Sequence, residues 1–229
     1  MQYVSDLLPG LATTFSLWLF ILAIGVPGGI VFGYLLRYGH SVVKIFILVL
    51  TNFGRGFPGL AVVYLVYTGM PGVGILLSGF QAVVIALGFM TVAYTAEIFR
   101  SAIHKVPQSQ TEAAMALGLS FWKTQIKIIL PQALRSVLPS LLAFSVLVLQ
   151  ATALGYAVGL RELTGLSYNF GSITFQALPY MVAAGVIYLA GCLCISTFAS
   201  RLKLEYRRPK GRSRRVDRAS ASASIASNA

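Results

Sequence analysis

The chain has 229 residues, 57% of them apolar and 10% charged, against about 45–50% and roughly 25% in an ordinary soluble domain. A water-soluble globule of this size could not find enough polar surface for that balance, so composition excludes it, together with disorder, collagen and a disulfide scaffold. The net charge of +12 is uneven: half of the 18 basic residues fall within 201–218, directly behind an apolar stretch, which points to a basic tail beside a membrane rather than a nucleic-acid surface.

Taken in chain order, the long stretches without Asp, Glu, Lys or Arg are 7–36, 56–96, 136–160 and 163–200. A membrane-spanning helix takes about 20 residues, so the first and third stretches hold one span each. The second is too long for one and is punctuated by Met70-Pro71-Gly72-Val73-Gly74 and Ser78-Gly79. The last becomes cleanly apolar only from Pro179, after the polar Thr164, Ser167, Asn169, Ser172 and Gln176. Five spans are predicted, near 11–36, 48–68, 80–100, 136–158 and 179–200. Met1–Pro9 carries no Lys or Arg and so lacks the basic start of a secretory signal, which predicts that the first helix is retained.

Basic residues set the orientation. Arg37 and Lys44 flank the first connection, Lys105, Lys123 and Lys127 crowd the third, and the tail is basic. The second connection, 69–79, is uncharged, and the fourth has only Arg161 with Glu162. The alternation predicts the N-terminus outside and the C-terminus inside. The expected organisation is an external segment 1–10, a membrane domain 11–205 and a basic tail 206–229. The end of that tail, Ala219–Ala229, holds only Ala, Ser, Ile and Asn and is expected to be disordered. Cys192 and Cys194 lie inside an apolar run, and His40 and His104 stand far apart, so no metal-ligand set is indicated.

The longest cytoplasmic connection, 101–135, is too patterned for a linker. Ser109 with Glu112 three residues on reads as a capping box. Ala113 to Leu117 are strong helix formers, and Gly118 suits a left-handed helix end. A second amphipathic segment, Phe121–Leu130, is expected to run until Pro131.

Glu112-Ala113-Ala114, three residues, Gly118, nine residues, Ile128, one residue, Leu130-Pro131 resembles the "EAA" signature of ATP-binding-cassette (ABC) importer permeases. The likeness covers roughly residues 10–205 and narrows to the polar amino-acid branch. Gly10-Leu11-Ala12-Thr13-Thr14 is similar to that branch's "GxxxT" opening, and Phe53-Gly54-Arg55-Gly56-Phe57-Pro58 to its "ELFRGTP" segment. Ala93-Tyr94-Thr95-Ala96-Glu97-Ile98-Phe99-Arg100 is close to "AYLAEIFR", and Leu130-Pro131-Gln132-Ala133-Leu134-Arg135 to "LPQALR".

The resemblance implies an all-α type I importer permease with five spans, working in a bacterial inner membrane. It implies a cytoplasmic ABC ATPase dimer, a second permease subunit, identical or paralogous, and an external amino-acid-binding protein delivering substrate to 69–79 and 159–178. Glu112, Ala113, Ala114, Gly118, Ile128, Leu130 and Pro131 would form the ATPase-coupling element, with Glu112 serving either as a helix cap alone or as a cap with an added charged contact to the ATPase. The chain itself has no phosphate loop, and no Gly is followed by Lys, so ATP is expected on the partner and no cofactor or metal here. No catalytic residue is expected either, since no span carries a Ser/His or His/Glu set at reactive spacing.

Polar groups within spans mark a path or a partner. Gln150 and Thr152 are substrate-path candidates, with no charge nearby in sequence to satisfy them. Asn52 and Arg55 are further candidates, and Arg55 either snorkels to the surface or pairs with a carboxylate. Glu97 and Arg100, three apart, are expected to form a structural ion pair. Gln150-Ala151-Thr152-Ala153-Leu154 stands where many relatives read Lys-Asp-Thr-Ser-Leu, and Asn52 replaces a usual Glu. Roles attached to those charges do not transfer. The Gln150, Thr152, Leu154, Tyr156 arrangement is similar to the acidic amino-acid members, which makes glutamate or aspartate the first expectation. The alternative is a non-enzymatic channel or scaffold with a lipid-binding tail, which leaves the patterned loop unexplained.

Overall fold

A computed structural model describes residues 2–207, in which no strand occurs. The tail expected from 206 therefore lies outside the described residues apart from Tyr206 and Arg207. The elements are α1 (Gln2–Tyr38), α2 (Ser41–Gly56), α3 (Gly59–Gly69), a 3-10 turn (Met70–Val73), α4 (Gly79–His104), α5 (Gln108–Ala116) and α6 (Phe121–Thr124). A π-helical turn (Gln125–Ile129), α7 (Leu130–Ala151), a 3-10 segment (Thr152–Val158), α8 (Leu163–Thr174) and α9 (Ala177–Arg207) follow.

Four of these helices are long and apolar enough to cross a membrane, over Gln2–Tyr38, Gly79–His104, Phe121–Val158 and Ala177–Arg201. A fifth crossing results only if α2 and the stretch Gly59–Val73 are taken together, and these are bent by 106°. The straight span expected at 48–68 is thus corrected to two short helices. Pro58 supplies the reason: it bars the helical region to Phe57, which is extended at φ −84°, ψ 143°.

The first helix begins at Gln2 rather than near 11 and carries Pro9 and Pro27 without ending. Its buried residues Thr14, Leu17, Ile21, Gly25, Gly29 and Gly33 recur every three or four positions, one face of a 3.6-residue period. That face lies along α4. A methyl added at Gly25 would collide with Thr91, and one at Gly29 with Thr95. Spans have no hydrophobic drive to associate within lipid, so this close van der Waals approach of small residues holds them together. Trp18 adds a polar tie to α7, its indole N–H donating to the Ser145 carbonyl at 2.8 Å.

The core divides by depth. Leu17, Ile21, Val63, Val83 and Leu87 pack one cluster, and Phe99, Ile103, Ile129, Ala133 and Val137 form another beside the 101–135 connection. A third, with Leu7, Leu163, Leu166 and Tyr180, seats α8. That helix occupies the stretch 159–178 expected to be a loop. Outward, Val182, Val186, Leu189, Leu193 and Phe198 of α9 are exposed, as a lipid-facing helix requires.

Candidate functional site

The coupling candidates lie on α5 and the chain that returns from it to α7. Helix α5 starts directly behind Pro107, whose side chain has no atom to accept a capping hydrogen bond. Ser109 therefore falls inside the helix, and the capping box expected from Ser109 and Glu112 does not form. Glu112 instead accepts a hydrogen bond from the Gln108 amide nitrogen at 3.0 Å. A reciprocal box does occur at Ser78 and Gln81, at the start of α4.

The other end of α5 follows expectation. Gly118 is left-handed at φ +76°. Leu119 N–H reaches the Ala114 carbonyl at 3.1 Å and Gly118 N–H that of Met115 at 2.9 Å, the paired bonds of a Schellman termination. Of the two alanines only Ala114 is buried, while Glu112, Ala113, Met115 and Leu117 face outward.

The second segment does not stop at Pro131. The π-helical turn runs into α7 with Pro131 in its first turn. Widening the turn ahead of a proline relieves the clash of its ring with the carbonyl four residues back. Ile128, Leu130 and Pro131 are half-buried along this joint. Gln132 donates to the Ile128 carbonyl at 2.9 Å and to Gln110 Oε1, tying α5 to the root of α7. It was not singled out from sequence, although it lies inside the "LPQALR" likeness.

The charged trio sits where α2 meets α4. Arg100 Nε donates to Glu97 Oε2 at 3.1 Å, with a second bond from Nη2 to Oε1. Arg55 Nη1 lies 3.9 Å from the same carboxylate, and its guanidinium is 5.9 Å from the Tyr94 ring centroid. Glu97 is thus shared by two arginines. Asn52, on the same helix as Arg55, is exposed.

Gln150 and Thr152 part company. Gln150 is exposed, and its amide nitrogen lies 3.7 Å from Cys192 Sγ. It lines a cavity of about 280 Å³ with Ala153, Thr164, Met181, Gly185 and Tyr188. Thr152 is fully buried, donates to the Leu149 carbonyl at 2.6 Å and lies 3.4 Å from Tyr188 Oη. No hydrogen bond or ion pair among the described residues joins either to Arg55.

Tyr188 leads to a residue that sequence reading passed over. Glu162 is fully buried and accepts from Thr164 N–H at 2.8 Å, Gly165 N–H at 2.7 Å and Tyr188 Oη at 2.9 Å. It caps α8, with help from Thr14 of α1, which accepts from Leu163 N–H at 3.0 Å. Gly10 makes room, since a methyl there would press on the Glu162 carbonyl and Leu163. The "GxxxT" pair thus seats the α8 terminus. Burial pushes the Glu162 pKa up, and its hydrogen bonds offset this only in part. No group of His, Cys, Asp and Glu able to hold a metal occurs among the described residues.

The described residues thus form an all-helical body with four or five candidate membrane spans and a surface helix, α5, closed by a Schellman termination. Comparison with known proteins places it. Residues 25–208 match the family of binding-protein-dependent transport system inner membrane components, and the chain belongs to that family as an ABC transporter permease, not an enzyme.

It is 36% identical over 155 residues to the probable amino-acid ABC transporter permease protein YckA of Bacillus subtilis (strain 168), covering 68% of this chain and 69% of that one. To the glutamine transport system permease protein GlnP of Escherichia coli (strain K12) it is 32% identical over 194 residues, covering 82% and 88%. A solved amino acid ABC transporter with histidines superposes with a TM-score of 0.83 at 27% identity, covering 89% of this chain and 95% of that one.

Proposed function

We propose that this chain forms, with a second permease subunit, the membrane pathway of an amino-acid importer in a bacterial inner membrane. An ABC ATPase dimer supplies the energy, and an external binding protein presents substrate at 69–79 and 159–178. The observation that carries this reading is α5, a helix held from behind by Ala114 and the Gln110–Gln132 bond while Met115 and Leu117, 55% and 82% exposed, face outward. Its small Ala113 permits close approach of a partner surface, with Glu112 available for a charged contact. ATP binding closes the two ATPase subunits and displaces α5. The displacement passes through Gln132 and the Phe99–Ile129 cluster to the spans, rocking them between inward-open and outward-open states.

Relatives named for amino acids support the substrate class. Within it, glutamate or aspartate is our first assignment, supported by the Gln150, Thr152, Leu154, Tyr156 likeness to acidic amino-acid members. Gln150 lines the cavity beside α9. A substrate carboxylate at Arg55 would have to compete with Glu97.

Co-purification of the soluble ATPase with the wild-type chain, and its loss in the double variant Glu112→Lys, Gly118→Val, is the expected outcome. Unchanged ATPase retention would overturn the coupling assignment. Uptake of radiolabelled glutamate that aspartate suppresses and glutamine or arginine does not would support the acidic assignment. The opposite pattern would remove it while leaving the importer intact.

A further inference from the structure

Two cavities meet at one buried side chain, at the joint between α1, α4 and the π-helical turn. The first, about 300 Å³, is an apolar groove along α1, lined by Ile30, Val31, Leu35, Ile126 and Leu130. The second, about 380 Å³, is polar and opens beside the root of α5, where Arg37, His104 and Lys105 converge with Thr111. Gln125 lines both and is 1% exposed. Neither its amide nitrogen nor its oxygen has a hydrogen-bond partner, and the buried Tyr34 hydroxyl in the apolar groove has none. Buried polar atoms are nearly always satisfied by protein, ordered water or a bound group, so unpartnered ones aimed into a cavity mark a place for such a partner.

Charge and aromatic placement identify the kind of group. The ion pairs among the described residues involve only Glu97, Arg55 and Arg100, so no described carboxylate pairs with Arg37 or Lys105. Glu112, the one carboxylate on α5, is bonded to Gln108. Tyr34, Tyr38, Phe121 and Trp122 run in successive contact along the joint, with ring centroids 5.0, 5.6 and 5.6 Å apart. Tyr and Trp gather where hydrocarbon gives way to headgroups. An apolar groove on the membrane side and a basic cavity on the water side, joined across such a belt, match an acyl chain and a phosphodiester.

We infer that the joint between Arg37, Lys105 and Gln125 is a binding site for an anionic phospholipid of the cytoplasmic leaflet, seated against the root of α5. Its phosphate lies among Arg37, His104 and Lys105. The Gln125 amide donates to the headgroup and accepts from a headgroup hydroxyl, such as that of glycerol. This inference rests on the orientation proposed above, which places the joint on the cytoplasmic side. Because the site touches Thr111 of α5, bound lipid braces the element through which the ATPase acts.

The test uses the delipidated permease–ATPase complex in detergent, titrated with short-chain phosphatidylglycerol, short-chain phosphatidylcholine and inorganic phosphate, and read by native mass spectrometry. One phosphatidylglycerol per permease chain should bind at least about tenfold more tightly than phosphatidylcholine, each basic side chain near an anionic surface contributing about fivefold. The Arg37→Gln, Lys105→Gln double variant should lose that preference, and Gln125→Leu should weaken it. Removal of 212–229 should leave it unchanged. Equal binding of the two lipids, or a preference that survives the double variant, would overturn the site. Phosphate binding as tightly as the lipid would replace the phospholipid with a free anion. ATPase retention by the double variant separates loss of this site from failure of the importer reading.

Discussion

Glu162 is the residue on which one end of the molecule turns. Its carboxylate holds the Thr164 and Gly165 N–H groups in the first turn of α8 and the Tyr188 hydroxyl. Replacing it with Ala leaves these donors without their acceptor in a buried setting and should cost about 2 kcal/mol or more. Burial raises its pKa, so the folded chain keeps the Glu162 proton to higher pH than the unfolded chain does. Its contribution is then fully present below about pH 4, the ordinary carboxylate value, and declines as pH rises to the folded value. Melting temperatures of the purified complex from pH 4 to 7 should show that decline, and Glu162→Gln should flatten it. A pH profile unchanged by the substitution would place the titrating group elsewhere. The sequence showed Glu162 only as an acid beside Arg161 in a polar stretch. What makes it special is the approach of Gly10, Thr14 and Tyr188, up to 152 positions away, and separation of that kind leaves no local pattern.

At the level of single elements, local chemistry was readable where it was self-sufficient. Gly118 ends α5 because the left-handed turn needs only that residue and its neighbours. The capping box at Ser109 is misplaced because the helix starts two residues earlier, with Pro107 at its N-cap, while Ser78-Gly79-Phe80-Gln81, read only as punctuation, forms a complete box. Helix α8 was legible in principle, since Leu163, Leu166 and Phe170 fall on one helical face. Polar residues between them masked it. The break at Pro58 was present in the sequence but outweighed by the length of the apolar run. Gln132 joins two elements and so belongs to neither in a linear reading. Its replacement by Leu removes the bond to Gln110 at a stability cost of about 1 kcal/mol. The complex should still hydrolyse ATP while uptake per ATP falls, measured in vesicles containing both activities. Uptake and hydrolysis falling in step would assign Gln132 a role in assembly instead.

For the whole molecule, composition and the spacing of charge were enough to place four of the five expected spans, because the bilayer sets a minimum length for each; the fifth is the bent pair of α2 and Gly59–Val73. They could not show that α1 and α4 lie in close contact, since a glycine stripe is informative only once its partner is known. Orientation is open to direct test. A reporter fused after Arg208 should be cytoplasmic, and one inserted near Gly72 external. The reverse result would invert the assignment of every loop and with it the phospholipid site.

Only Lys105, Val106 and Pro107 lie between α4 and α5. So short a tether has no slack. Helix α4, with 26 residues, is about 39 Å long, enough to cross the hydrocarbon core of a bilayer, about 30 Å thick. It acts as a stiff rod with a handle at one end and, through the small residues facing Thr91 and Thr95, a second rod clamped to its side. A displacement of α5 of the kind proposed above would then move two spans at once and carry the stroke toward the opposite face of the membrane.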